Sequence, residues 1–173
     1  MQYGICICGL NGSGKTTLGA ALAEKLGFKH MDVEDYYFTR TDNPYASART
    51  REEVEELLLE DIKQNPCFVF SAVNGNMNEE INSCYDLVVY LEVPLELRMK
   101  RIRQRAYENF GDRVLPGGDM HEQEENFFAF AEKRSPEKIE AWLHTLMCRV
   151  IRLDGTKTVE YNVQTLIDRI NIY

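Results

Sequence analysis

With 173 residues, 44% of them apolar, the chain has the length of one compact domain and side chains enough for a sizeable core. Its formal net charge of −8 lacks the basic surface that nonspecific binding to nucleic acid or anionic membrane requires, so any handling of phosphate must be local. No stretch approaches a transmembrane span, and Met1-Gln2-Tyr3-Gly4-Ile5 enters an apolar strand without a secretory n-region or h-region, so a cytoplasmic protein with no nucleic-acid or membrane partner is expected.

The first predicted element is a strand over Tyr3 to Cys8, in which Cys6 and Cys8 alternate within an apolar run. The five cysteines are odd in number, lack CxxC spacing, and read as reduced, mostly buried thiols. A glycine-rich loop follows, then Leu18, Leu22 and Leu26 recur at helical spacing until Gly27 supplies a stop. A brief second strand is expected from Phe28 to Asp32. After it come the acidic and aromatic segment Val33-Glu34-Asp35-Tyr36-Tyr37-Phe38 and a polar loop through Asn43-Pro44. Thr50 with Glu53 makes a capping box for a helix whose apolar face carries Val54, Leu57, Leu58 and Ile62, ending before Pro66.

Cys67 to Val73 and Leu87 to Val93 are short, rich in β-branched and aromatic residues, and read as buried parallel strands. A helix begins near Leu95. The loop Gly111 to Gly118 follows, then two helical stretches, the second opened by Ser135-Pro136. Arg149 to Leu153 is expected as a fifth strand and Asp154-Gly155-Thr156-Lys157 as a turn, with Val163, Leu166, Ile167 and Ile170 on one face of a last helix. Alternating strands and helices imply an α/β three-layer sandwich, a parallel sheet covered on both faces, within a single domain spanning 1–173.

Gly9-Leu10-Asn11-Gly12-Ser13-Gly14-Lys15-Thr16 fits GxxxxGK[ST], placed between a strand and a helix. Backbone amides that converge on phosphate need a loop without bulk at its tightest points, which accounts for glycine at 9, 12 and 14. Lys15 then reaches the β- and γ-phosphates, Thr16 offers magnesium a hydroxyl, and the helix directs its positive end at the anion. ATP with Mg2+ is the expected ligand, contacted by Gly9, Asn11, Gly12, Ser13, Gly14, Lys15, Thr16 and Thr17.

Motor and AAA+ type ATPases place an acidic pair after four apolar residues. Neither Phe68-Val69-Phe70-Ser71 nor Leu87-Val88-Val89-Tyr90 is followed by Asp-Glu, although Glu92 follows one of them alone. No lysine has aspartate two residues later, so the guanine-reading element of GTPases is missing. The chain resembles the P-loop small-molecule kinases, adenylate-kinase-like and shikimate-kinase-like, and most closely small bacterial chains described only as AAA family ATPases. The resemblance rests on four motifs: Gly9 to Thr17; His30-Met31-Asp32-Val33-Glu34-Asp35-Tyr36-Tyr37; Val93-Pro94 before an arginine-rich helix; and Asp154-Gly155-Thr156 after the last strand. It implies a five-stranded sheet of order 2-3-1-4-5 and a mobile helical lid around 106–134. Asp32-x-Glu34 and Asn74-Gly75-Asn76 depart from the Asp-x-Asp and glycine triplet of shikimate kinases. The Asp-Gly and long, sometimes cysteine-bearing lid of many adenylate kinases are missing as well. Neither shikimate nor AMP is therefore favoured as acceptor.

By this resemblance Asp32 holds magnesium through water beside Thr16, while Glu34 or Asp35 orients the acceptor or takes its proton. A solvated acidic turn is the plain alternative for any one of them. Arg98, Arg101 and Arg105 share one helical stripe beside Leu95, Met99, Ile102 and Ala106, and Arg101 and Arg105 are the better candidates for a nucleotide contact, together with Gly155. Arg113, in a loop with glycines at 111, 117 and 118, is a candidate lid residue that acts on the transferring phosphoryl group. Arg49 and Arg51 would take an anionic group on the acceptor or serve as surface charges; Asn74 and Asn76 would meet acceptor hydroxyls or simply make a turn.

His30, His121 and His144 have no ligand spacing, and Trp142, Phe127, Phe128 and Phe130 read as core or lid packing. The expected activity is transfer of the γ-phosphate of MgATP to a small acceptor, a nucleotide, nucleoside or hydroxyl metabolite, by a monomer or homodimer. The alternative is a nucleotide-binding switch or slow ATPase that acts through a protein partner.

Overall fold

A computed structural model describes residues 2–38 and 48–170; the polar loop expected through Asn43-Pro44 lies outside them. Its strands are β1 (Tyr3–Cys8), β2 (Lys29–Asp32), β3 (Cys67–Ala72), β4 (Tyr85–Glu92) and β5 (Arg149–Asp154). All pair in parallel, in the order β2-β3-β1-β4-β5. The helices are α1 (Lys15–Leu26), α2 (Val33–Tyr37), α3 (Arg51–Gln64), α4 (Glu79–Asn82), α5 (Leu95–Phe110), α6 (His121–Lys133), α7 (Glu137–Leu143) and α8 (Val159–Arg169).

Strand alternation sorts the core into two layers. Ile5 and Ile7 of β1, Val69 of β3, and Leu87 and Val89 of β4 face Leu18 and Leu22 of α1 and Leu166 of α8. Cys6, Cys8, Phe68, Phe70, Val88 and Tyr90 point the other way, to Leu58 and Ile62 of α3 and Ile139 and Trp142 of α7. A third, smaller cluster joins α5 to α6 through Ile102, Ala106, Phe128 and Ala131. β4 starts at Tyr85, ahead of the expected Leu87, because the Tyr85 ring is buried beside Phe68, Phe70 and Trp142. α4, unforeseen in the sequence, is a single turn capped by the Asn78 side chain. The expected capping box of α3 is present, with Thr50 and Glu53 bonding reciprocally.

The register sets the site. Cys8 lies level with Ala72 and Tyr90, and Asp32 with Ser71, so the chain leaves β1, β2, β3 and β4 at one edge of the sheet. That carboxyl edge is where open α/β sheets place their ligands.

Candidate active site

The loop between β1 and α1 turns on glycines that no other residue replaces without strain. Gly12 and Gly14 have φ of 79° and 91°, and a Cβ on Gly12 would stand 2.5 Å from the Arg98 carbonyl oxygen. Gly14 is the N-cap of α1 and brings no side-chain cap, so the first-turn amides are left for a ligand. Ser13 Oγ is buried with no hydrogen-bond partner among the described residues. This set of donors fits a phosphate chain, and a Cβ on Gly14 would meet nothing nearer than Arg101 Nη1 at 3.8 Å.

Three arginines hold this loop. Arg98 Nη1 donates to the Asn11 carbonyl at 3.1 Å, and Arg134 Nη1 donates to Asn11 Oδ1 at 3.2 Å. Arg101 spans two loops, donating to the Ser13 carbonyl at 3.2 Å and to the Gly155 carbonyl at 3.0 Å. The expected apolar stripe of α5 is thus only partly inward. Leu95 is 42% exposed and Arg98 only 5% exposed, because α5 packs on loop carbonyls that need donors. Arg105 makes no hydrogen bond or ion pair among the described residues. A cavity of about 340 Å³ runs from the phosphate loop past Arg101, Arg105 and Gly155 to Val159 and Asn162.

Lys15 is drawn below its ordinary pKa by burial. Glu34 and then Asp32 act to raise it, while Arg105 and Arg134 lower it. Lys15 thus lies in the field of two carboxylates and two guanidinium groups. Asp32 caps α2, accepting from the Glu34 amide at 3.0 Å. Asp35 shapes the field at His30 and Tyr36 instead.

Two of the expected site residues are placed elsewhere. Arg113 sits in the 3-10 turn Gly111–Val114 and forms a bidentate pair with Asp119, both side chains exposed, off the wall of the nucleotide cavity. Its nearest carboxylate captures it. Arg49 donates to the Tyr36 carbonyl at 2.8 Å and borders a separate acidic hollow with Glu53, Glu56 and Glu60. Its neighbour by two, Arg51, instead donates to the Asn76 carbonyl at 3.0 Å. Arg51 lines a cavity of about 760 Å³ at the sheet edge with Asn74, Asn76, Arg134, Lys138 and Trp142. Asn74 accepts from the Asn76 amide at 3.0 Å, the turn expected of it. Arg134 is the residue that sequence reasoning missed; its only signal was its position before the Ser135-Pro136 break.

The glycine loop, the parallel sheet of order 2-3-1-4-5 and the flanking helices define a P-loop α/β protein. Residues 5–127 match the AAA domain family model, and the chain belongs to that family. It is 31% identical over 176 residues to the uncharacterized protein YqaC of Bacillus subtilis (strain 168), covering 97% of each chain. It is 28% identical over 159 residues to shikimate kinase of Enterococcus faecalis (strain ATCC 700802 / V583), covering 78% of this chain and 92% of that one. The deoxyadenosine kinase of M. mycoides, solved with bound dATP, superposes with a TM-score of 0.62 at 17% identity, over 99% of this chain and 100% of the other. The expected kinase resemblance and sheet order are both met. No described helix is long and apolar enough to cross a membrane.

Proposed function

We propose that the chain is a kinase that moves the γ-phosphate of ATP to a small-molecule acceptor, as shikimate kinase and deoxyadenosine kinase are named for doing. The observation that carries this reading is the phosphate loop with its Lys15 in the combined field of two carboxylates, Glu34 and Asp32, and two guanidinium groups, Arg105 and Arg134. Carboxylates in the field of a phosphate-binding lysine are suited to a hydroxyl acceptor, which must lose a proton as it attacks.

In this reading the loop amides and Lys15 hold the β- and γ-phosphates, and Arg101 and Gly155 border the adenosine. Thr16 and Asp32 are the residues to hold magnesium, which supplies neutralisation of phosphate charge when bound. Glu34, whose field on Lys15 exceeds that of Asp32, receives the acceptor's proton. The acceptor oxygen bonds to the γ-phosphorus as the bond from that phosphorus to the departing ADP oxygen breaks. Arg105 and Arg134 stabilise the charge on the transferring group. The segment 106–134 acts as a lid that excludes water, and the chain works as a single domain.

Lys15→Met tests the reading. Its fold, followed by circular dichroism, should persist while transfer to acceptors in a metabolite panel is lost. Unchanged turnover in that variant refutes the mechanism, and ATP binding without any phosphorylated acceptor favours a switch or slow ATPase.

A further inference from the structure

A cavity of about 510 Å³ lies between α5 and α6 and shares Ile102 and Arg105 with the nucleotide cavity. Glu34 stands on its wall, whereas the sheet-edge cavity of Arg51, Arg134 and Lys138 does not include Glu34. An acceptor whose hydroxyl meets Glu34 therefore has its body in the α5–α6 cavity.

The lining states what that body is. Ile102, Ala106, Phe110 and Phe127 provide apolar wall, and the two phenylalanines keep part of their rings outside the α5–α6 core. Asn109 and Gln123 add two amides, each able to donate and accept. Glu124, in the first turn of α6, is 9% exposed and lines the cavity, yet its carboxyl has no hydrogen bond or ion pair among the described residues. Its oxygens are not sealed in the interior, so they can accept a hydrogen bond from a molecule in the cavity. Burial also raises its pKa, partly offset by Arg105. With Glu34 and Glu124 against a lone arginine, the wall repels a second anion and accepts N–H donors.

We propose that this cavity binds the acceptor, and that the acceptor is a hydroxyl compound built on an uncharged, flat heteroaromatic ring whose amino group donates to Glu124. The proposal rests on the kinase reading for its use of Glu34, but the ring site is measured independently of turnover. Cytidine and adenosine serve as amino-bearing probes, with uridine and inosine as their oxo counterparts, titrated calorimetrically into the MgADP-saturated protein.

The amino-bearing ring should bind at least about tenfold tighter than its counterpart, the difference expected from one hydrogen bond to a charged acceptor. Glu124→Gln should erase most of that preference while leaving ADP affinity within about twofold. Gln123→Ala, at an exposed position, should weaken both rings and reports on the cavity even if the first variant misfolds. Equal affinity for amino and oxo rings, no effect of either variant, or binding and phosphorylation of acidic acceptors alone would each overturn the proposal. That last result would leave the kinase reading intact. Ring binding that depends on Glu124 without any phosphorylated product would instead remove the kinase reading and leave the site.

Discussion

Ser71 Oγ on β3 donates to the backbone carbonyl of Lys15 at 3.2 Å, joining the central sheet to the first residue of α1. The same hydroxyl lies 3.0 Å from His30 Nε2 on β2. A polar pair, Ser71 buried and His30 half-buried, thus sits against α1 where Gly19 leaves room: a Cβ there would stand 2.2 Å from Ser71 Oγ.

Ser71→Ala should therefore destabilise the fold by about 1 kcal/mol, the net worth of a lost hydrogen bond to half-buried partners. It should also loosen the loop. Urea unfolding gives the first effect, and ATP titration should show weaker binding.

His30 gives the fold a pH dependence of known sign. Burial holds its pKa below the ordinary 6.5, against the pull of Asp32 and Asp35. The unfolded chain takes up a proton near 6.5 while the native imidazole stays neutral, so this contribution is complete above that pH and is lost as pH falls. The loss levels off below the native pKa. Urea midpoints measured from pH 8 to 5 in wild type and His30→Gln should differ by this step; parallel curves would refute it.

Arg101→Ala removes the clasp between Ser13 and Gly155. Two hydrogen bonds from one charged donor are lost, so stability should drop by about 2 kcal/mol and ATP should bind at least tenfold more weakly. Arg101→Lys should recover only part of this, since one ammonium cannot reproduce a planar fork. Thermal unfolding with and without ATP separates the two losses.

Gly12→Ala should abolish nucleotide binding more completely than it harms the fold. Its φ of 79° and the Arg98 carbonyl at 2.5 Å leave no place for a methyl group without moving the loop from α5. The strain is of order 1–3 kcal/mol, visible in the unfolding midpoint beside a lost ATP titration signal.

Arg105 and Arg113 should behave oppositely. Arg105→Gln, at an exposed position with no partner among the described residues, should change stability by less than about 0.5 kcal/mol but reduce kcat/KM by about 10²–10³. Arg113 is engaged by Asp119 on the surface, so Arg113→Gln should leave kcat/KM within about twofold. A large loss in that variant would mean that the pair opens and Arg113 joins the phosphates during turnover.

The phosphate loop was legible because its chemistry is local: glycines at fixed spacing, then lysine and threonine. β1, β3 and β4 were legible because buried parallel strands are apolar on both faces. What the stripe on α5 could not show was which arginine would be buried, since Arg98 answers to a carbonyl on Asn11, 87 residues away in sequence. Arg134 was hidden for the same reason, its partner lying 123 residues off. Arg49 and Arg51 look alike beside a helix start, and only their partners distinguish them: the Tyr36 carbonyl for Arg49, Glu55 and the Asn76 carbonyl for Arg51. The Ser71–His30 pair, one residue on each of two strands, left no periodic trace.

The single tryptophan of the chain carries its own use. Trp142 is 4% exposed, set edge-on to Tyr85, yet it lines the sheet-edge cavity beside Arg134 and Lys138. Its emission therefore comes from one defined place. A molecule entering that cavity should quench or shift it, while one confined to the α5–α6 cavity, whose wall excludes Trp142, should leave it unchanged. Intrinsic fluorescence thus reports, without any label, which of the two openings a given compound enters.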